Sequence, residues 1–241
     1  MIWWWRNSDV LMRALKTVFL MVCLWISGVH IAQSQQQDMQ AWYNVTIAGE
    51  LGKKLGFSIE PELRLFENLS RMRSWQTEFN MYYQLTKKMD VGGVYRYQVE
   101  YDKPLYNKRV HRWAFYTKIG YKTGHFRWRY RAMIQDEYRN IKTSDYGRIS
   151  HLGHRHKLSV KYTRKKLFIQ PSFGVEYYFA LKPAIDKGEW KRRFFISCDY
   201  KISKQISTKI AYKYQSEYQV KSPDAIHIIV VSLEYKPKFL K

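Results

Sequence analysis

Across 241 residues the chain carries 42 Lys+Arg against 20 Asp+Glu, a net charge of +22, and 17% of its residues are aromatic. A mean hydropathy of −0.52 excludes a bundle of apolar membrane helices but leaves a membrane barrel open, because a barrel's interior and loops are polar. So basic a chain also suits a nucleic-acid binder. Here the charge is spread segment by segment rather than gathered in one helix or tail, so no nucleic-acid partner is expected.

The first element in chain order is a targeting segment. Arg13 and Lys16 precede the apolar run Val18–Ile26, and small and polar residues follow, ending in Ala32-Gln33-Ser34. That is the basic, apolar and small-x-small order of a secretory signal peptide, with cleavage expected after Ser34. Trp3, Trp4 and Trp5 ahead of the basic residues are atypical, which points to translation starting at Met12. The alternative is an uncleaved anchor helix, since Ala14 to Ala32 is nearly long enough to span a bilayer. A lipoprotein anchor at Cys23 is disfavoured by Val22, which fills a position that needs a small residue. After cleavage Cys198 is the sole cysteine, expected as a small buried or lipid-facing residue with no disulfide partner.

Eleven segments then alternate apolar with polar residues, the period of a β-strand with one apolar and one charged face. They run Ala41–Glu50, Leu55–Glu67, Arg73–Leu85, Val91–Tyr101, Arg109–Lys122, Phe126–Arg139, His151–Tyr162, Leu167–Phe179, Lys191–Lys201, Ile206–Tyr218 and Ile226–Tyr235. Their lengths meet the ~9–11 tilted residues that cross a membrane. Tight turns such as Gly52-Lys53-Lys54 and Thr123-Gly124 alternate with longer links at Asp102–Lys108, Asn140–Ser150 and Lys182–Gly188. The Lys-rich turns suit solvated caps at the membrane face, able to meet lipid phosphates. The expected fold is all-β: an antiparallel up-and-down transmembrane barrel over residues 35–241, preceded by a signal peptide. Single-chain bacterial barrels have even strand numbers, so eleven segments predict ten to twelve strands. Either a short strand lies near Gln35–Gln40 or one segment stands outside the barrel.

Parity assigns the faces. Trp75, Tyr83, Trp113, Trp128, Tyr130, Tyr212 and Tyr214 fall on apolar faces and are expected as lipid-facing aromatic girdles. Glu60, Glu62, Arg64, Glu78, Arg96, Glu100, Arg112, Arg127, Arg129 and Arg131 fall on the opposite faces, as do Glu176, Lys209 and Lys213. Glu60 and Glu62 stand about 7 Å apart on one face, close enough for acid-base chemistry. The plainer expectation is a lumenal ion network in which Arg96, Arg112, Arg129 and Arg131 of other strands neutralise them. A soluble lipocalin-like barrel, with these faces reversed, is the competing architecture.

His154 and His156 share a face and His151 lies opposite, so the three cannot converge on a metal from one regular strand. No GxSxG, P-loop or HExxH motif occurs. No metal, cofactor or catalytic residue is expected.

Asp38-x-x-x-Trp42, Glu60-Pro-Glu62-Leu-Arg64, Tyr95-Arg96-Tyr97 and the arginine-rich Phe126–Arg139 segment occur in that order ahead of an aromatic C-terminus. Together they resemble the outer-membrane-barrel family catalogued as domain of unknown function 2490, common in Bacteroidota. Two departures stand out. Pro61 replaces an acidic or polar residue, and Lys236–Lys241 extends beyond the terminal aromatic. The resemblance implies a Gram-negative outer-membrane barrel without an established activity. Outer-membrane lipid or lipopolysaccharide and the barrel assembly machinery are then the expected partners of a monomeric chain. The leading role is structural or concerned with envelope interactions, around a narrow, charge-filled lumen. An anion-favouring pore, a lipid-modifying enzyme and a soluble exported barrel for an acidic ligand are the alternatives.

Overall fold

Alternation at period two gives each segment one face for an interior and one for the outside, and the chain satisfies both by closing on itself. The computed structural model describes residues 37–103, 106–139, 151–164, 167–181, 190–218 and 223–237. Within them eleven strands close into one barrel: β1 Gln37–Leu51, β2 Leu55–Phe66, β3 Arg71–Thr86, β4 Met89–Lys103, β5 Tyr106–Thr123 and β6 Phe126–Arg139, then β7 Gly153–Tyr162, β8 Ile169–Ala180, β9 Lys191–Lys201, β10 Ile206–Glu217 and β11 Ala225–Tyr235. The expected targeting segment 1–34, the Met12 start, Cys23, the links 140–150 and 182–188 and the end of the C-terminal extension lie outside the described residues.

Eleven is an odd number, and closure shows the consequence. Successive strands pair antiparallel, so β1 and β11 run the same way and must meet in parallel. They do so in register from Gln37↔Ala225 to Ile47↔Tyr235. The expectation of a wholly antiparallel barrel is corrected at this seam. No separate strand precedes Ala41 among the described residues; β1 itself begins at Gln37. The expected link at Asp102–Lys108 is shorter too, because β4 runs to Lys103 and β5 starts at Tyr106, with a bulge between Tyr101 and Lys103.

The seam has a sequence counterpart in β11. Ile226, Ile228 and Val230 point inward while Ile229, Val231 and Leu233 point outward, a near-continuous apolar run of the kind parallel strands carry. Ile228, wholly buried, packs with Trp42, Ala211 and Val230 inside the barrel. A second interior cluster joins Val94, Ala114, Tyr116 and Met133. The lumen is therefore not filled by charge alone.

Pro61 also acquires a local reading. It points outward in the middle of β2, and proline has no N–H for the ladder. The ladder with β1 accordingly lacks two pairs between Asn44↔Glu62 and Ile47↔Ile59, with the register unchanged, whereas the β3 side stays continuous at Pro61↔Thr77. The Thr46 hydroxyl spans the break by donating to Glu60 Oε2 at 2.8 Å.

Candidate functional site: the barrel interior

Large apolar side chains cover the outer wall, among them Phe115 (67% exposed), Ile210 (60%) and Trp113 (52%). The seven expected girdle residues all belong to this wall, but they do not form two rings. Trp75 and Tyr214 lie toward the loop end, Tyr83 and Trp128 toward the tight-turn end, and Trp113, Tyr130 and Tyr212 nearer mid-height. Those last three have ring or hydroxyl partners on the wall. Trp113 packs on Tyr95 with centroids 4.4 Å apart, and the Tyr130 and Tyr212 hydroxyls meet Nδ1 of His156 and His227 at 2.6 and 2.7 Å. Tyr95 pairs with His111 in the same way at 2.8 Å. Such Tyr–His diagonals are invisible in single-strand parity, because they need the neighbouring strand's register. Cys198 is also on the outer wall and free. His154 Nδ1 lies 2.9 Å from His156 Nε2, and no cluster of His, Cys, Asp or Glu able to hold a metal occurs among the described residues.

The inner face is polar and strongly divided. Strands β1–β4 turn Asp38, Glu50, Glu60, Glu62, Glu78, Asp90 and Glu100 inward, with Arg64 and Arg96 as the cations among their described side chains below the loop-end rim, where Arg71 lies against Phe66. Strands β6–β10 turn twelve cations inward: Arg127, Arg129, Arg131, Arg139, Arg155, Lys157, Lys161, Lys191, Arg193, Lys201, Lys209 and Lys213. Against them stand Glu137, Glu176, Asp199 and Glu217. One side of the lumen is acidic and the other basic.

On the acidic side each mid-height carboxylate has its own set of donors. Glu62 receives Arg64 Nε at 2.6 Å, Gln76 Nε2 at 2.8 Å and Asn44 Nδ2 at 3.3 Å. Its cation comes from its own strand, two residues away, rather than from the expected arginines of other strands. The long guanidinium stem bridges the ~7 Å between same-face positions without needing a neighbour. Glu78 holds Arg96 through Nε and Nη2. Glu60 stands opposite Glu78 in register and takes the Thr46 hydroxyl. Glu100 accepts from Gln98 Nε2 at 2.8 Å, and Arg112 lies opposite Arg96 and Glu137 in the register row.

The basic side is organised around one group. Glu176, with its side chain 3% exposed, meets Arg155 (Nη2 2.8 Å, Nε 3.0 Å), Arg131 (3.2 Å) and Arg193 (3.3 Å), and accepts the Tyr178 hydroxyl at 2.9 Å. Register explains the convergence: Arg131, Lys157, Glu176, Arg193 and Gln215 form one continuous row across β6–β10. Arg131 thus serves Glu176 rather than Glu60 or Glu62. Arg127 and Arg129 keep their inward parity but are exposed toward the tight-turn end, and they join no ion pair among the described residues. Trp42 lies between the two sides, with Arg64 at 4.0 Å, Lys213 at 4.6 Å and Arg193 at 5.2 Å from its ring. Arg193 and Lys213 belong to β9 and β10, so cations of the basic side reach Trp42 of β1 past the intervening β11.

Parity alone gives the inward position of Glu176 but not its role as hub. Arg155, Lys157 and Arg193 follow from the same alternation, in Arg155-His156-Lys157 and Arg193-Phe194-Phe195.

The family model described as "Protein of unknown function (DUF2490)" matches residues 39–225, nearly the whole barrel. The chain belongs to this family. No curated protein matches the DUF2490 chain. Two solved structures are similar in shape, each at 10% identity over 74% of this chain. One is a KdgM porin in complex with disordered oligogalacturonate, with 91% of its chain covered at a TM-score of 0.45. The other is the beta domain of the Bordetella autotransporter BrkA, with 82% covered at a TM-score of 0.44. At that level of likeness neither assigns a role to residues of the DUF2490 barrel.

Proposed function

We propose that the chain is an integral barrel of the Gram-negative outer membrane, exported by residues 1–34, with a structural or envelope-interaction role and no catalytic site. The observation that carries this reading is the continuous apolar outer wall around a polar interior. A water-soluble barrel needs the opposite arrangement, because exposing Phe115, Ile210 and Trp113 to water forfeits the burial that drives folding. Strands of 10–18 residues suffice to cross a bilayer. Outer-membrane lipid or lipopolysaccharide would contact the wall, the barrel assembly machinery would insert the chain, and it would act as a monomer. The test is fractionation with a detergent gel. An unboiled sample migrating apart from a boiled one, in the outer-membrane fraction, is expected; release of the chain by salt alone would remove the reading.

One observation favours a second role. The cation excess of β6–β10 suits an anion-favouring passage. Anion-selective conductance in planar bilayers, reduced by Arg129→Ala with Arg131→Ala, would support it, and a barrel that does not conduct would leave the structural role.

A further inference from the structure

Two inward lysines on the basic side do not join the network around Glu176. Lys157 stands beside Glu176 in register, yet its ammonium lies 4.5 Å from the Phe195 ring and makes no hydrogen bond or ion pair among the described residues. Lys213 likewise faces the Trp42 ring, at 4.6 Å, and makes no hydrogen bond or ion pair among the described residues. Both residues are of intermediate exposure.

The nearby carboxylates are already engaged. Glu176 gives both oxygens to Arg131, Arg155, Arg193 and Tyr178, and Glu62 is held by Arg64, Gln76 and Asn44. Around Glu176 the cations Arg131, Arg155, Lys157 and Arg193 face one carboxylate, a local excess of three formal positive charges, and Lys213 stands between this group and Glu62. An ammonium offers three donors, and a ring face satisfies none of them as an acceptor oxygen would.

Phe195 is fixed where it is by a glycine. Gly174 is its register partner on β8, and the Phe195 ring occupies the space a Cβ would take. Lys213 is paired with Phe195 on β10, so Lys157 and Lys213 stand on either side of that ring.

We propose that Lys157 and Lys213 bind a small oxyanion within the lumen, of the phosphate or carboxylate class. Arg193, on β9 between them, is held by Glu176 and Gln215 and borders the site beside the Trp42 ring that Lys213 also faces. Exposed Arg127 and Arg129 make the approach from the tight-turn end electropositive, which raises the local concentration of anions. The inference goes beyond the membrane-barrel reading and needs only a folded barrel, whatever its location or conductance.

The test uses the full mature chain folded in nonionic detergent, with thermal loss of the fast-migrating gel band as the readout. Sodium phosphate and sodium acetate are titrated separately against sodium chloride at matched ionic strength. The transition should rise saturably with the bound anion, by about 5–10 °C near a hundred times its Kd. Phosphate acting alone assigns the phosphate class, and acetate acting equally assigns carboxylates. Lys157→Met with Lys213→Met should abolish the rise, while Lys157→Arg with Lys213→Arg should retain it. An equal rise in the Met variant, or a flat response of the unsubstituted chain to both anions, overturns the site. The starting gel band reports separately whether each sample holds a barrel at all. Should the double Met variant give no such band, Lys213→Gln alone serves, with at least a tenfold weaker apparent affinity expected and an unchanged one overturning the site.

Discussion

Strands β1–β4 and β6–β10 line the same lumen, yet they handle buried charge in different ways. On β1–β4 the carboxylates are in excess, and those at mid-height are held one by one: Glu62 by Arg64 with two amides, Glu78 by Arg96, Glu60 by a threonine hydroxyl. On β6–β10 the cations are in excess, and Glu176 must serve three arginines. The first arrangement distributes the cost of losing a side chain. The second concentrates it on one residue and leaves lysines over. A charge network that only filled space would need no such surplus, which is why the surplus rather than the network indicates binding.

The largest expected effect separates the two sides at their carboxylates. Glu176→Gln leaves Arg131, Arg155 and Arg193 without their shared anion, and stranding buried partners of this kind costs about 3–5 kcal/mol. The urea midpoint of the barrel folded in detergent should fall further for Glu176→Gln than for Glu78→Gln, whose single arginine partner is Arg96. Equal losses would mean that the two sides are built alike.

Arg64→Met tests the acidic side from its cation. Glu62 keeps Gln76 and Asn44 as donors, so the expected loss is about 1–3 kcal/mol, read in the same unfolding curve. A loss as large as that of Glu176→Gln would show that the amides contribute little. Gly174→Ala probes the basic side through packing. Its Cβ meets the Phe195 ring and the Leu158 carbonyl, so about 1–3 kcal/mol should be lost as the ring shifts away from Lys157. A fully tolerated alanine would contradict the position of that ring. The smallest effect belongs outside the lumen. Arg71→Ala breaks an ion pair with Glu67 whose side chains are both 48% exposed, and it should change stability by less than about 1 kcal/mol.

Much of this molecule is readable from alternation, because period two fixes the face of a side chain regardless of what lies beyond it. The bounds of Phe126–Arg139 and Lys191–Lys201 coincide with β6 and β9, and Arg131 and Trp128 take the faces that parity gives them. Partnership is another matter. Glu62 meets Arg64 of its own strand, Arg131 meets Glu176 two strands away, and Tyr130 meets His156 only through the β6–β7 register. Each depends on stagger and on closure, neither of which leaves a mark within a single strand. The parallel seam did leave one, in the unbroken apolar run Ile228-Ile229-Val230-Val231, whose inner half packs on Trp42. A strict expectation of even strand number hides that signal, since it treats the odd strand as an error instead of as the place where direction must repeat.

The contrast between engaged and surplus charge is tested most directly by the thermal transitions of two variants compared side by side with the unsubstituted barrel in phosphate-free buffer. Glu176→Gln should lower the transition by about 6–20 °C, the shift that a loss of 3–5 kcal/mol gives a chain of this size. Lys157→Met with Lys213→Met should leave it unchanged or raise it, because neither lysine forms a hydrogen bond or ion pair among the described residues whose loss would cost stability. A lysine variant that loses as much as the glutamine variant would contradict the account.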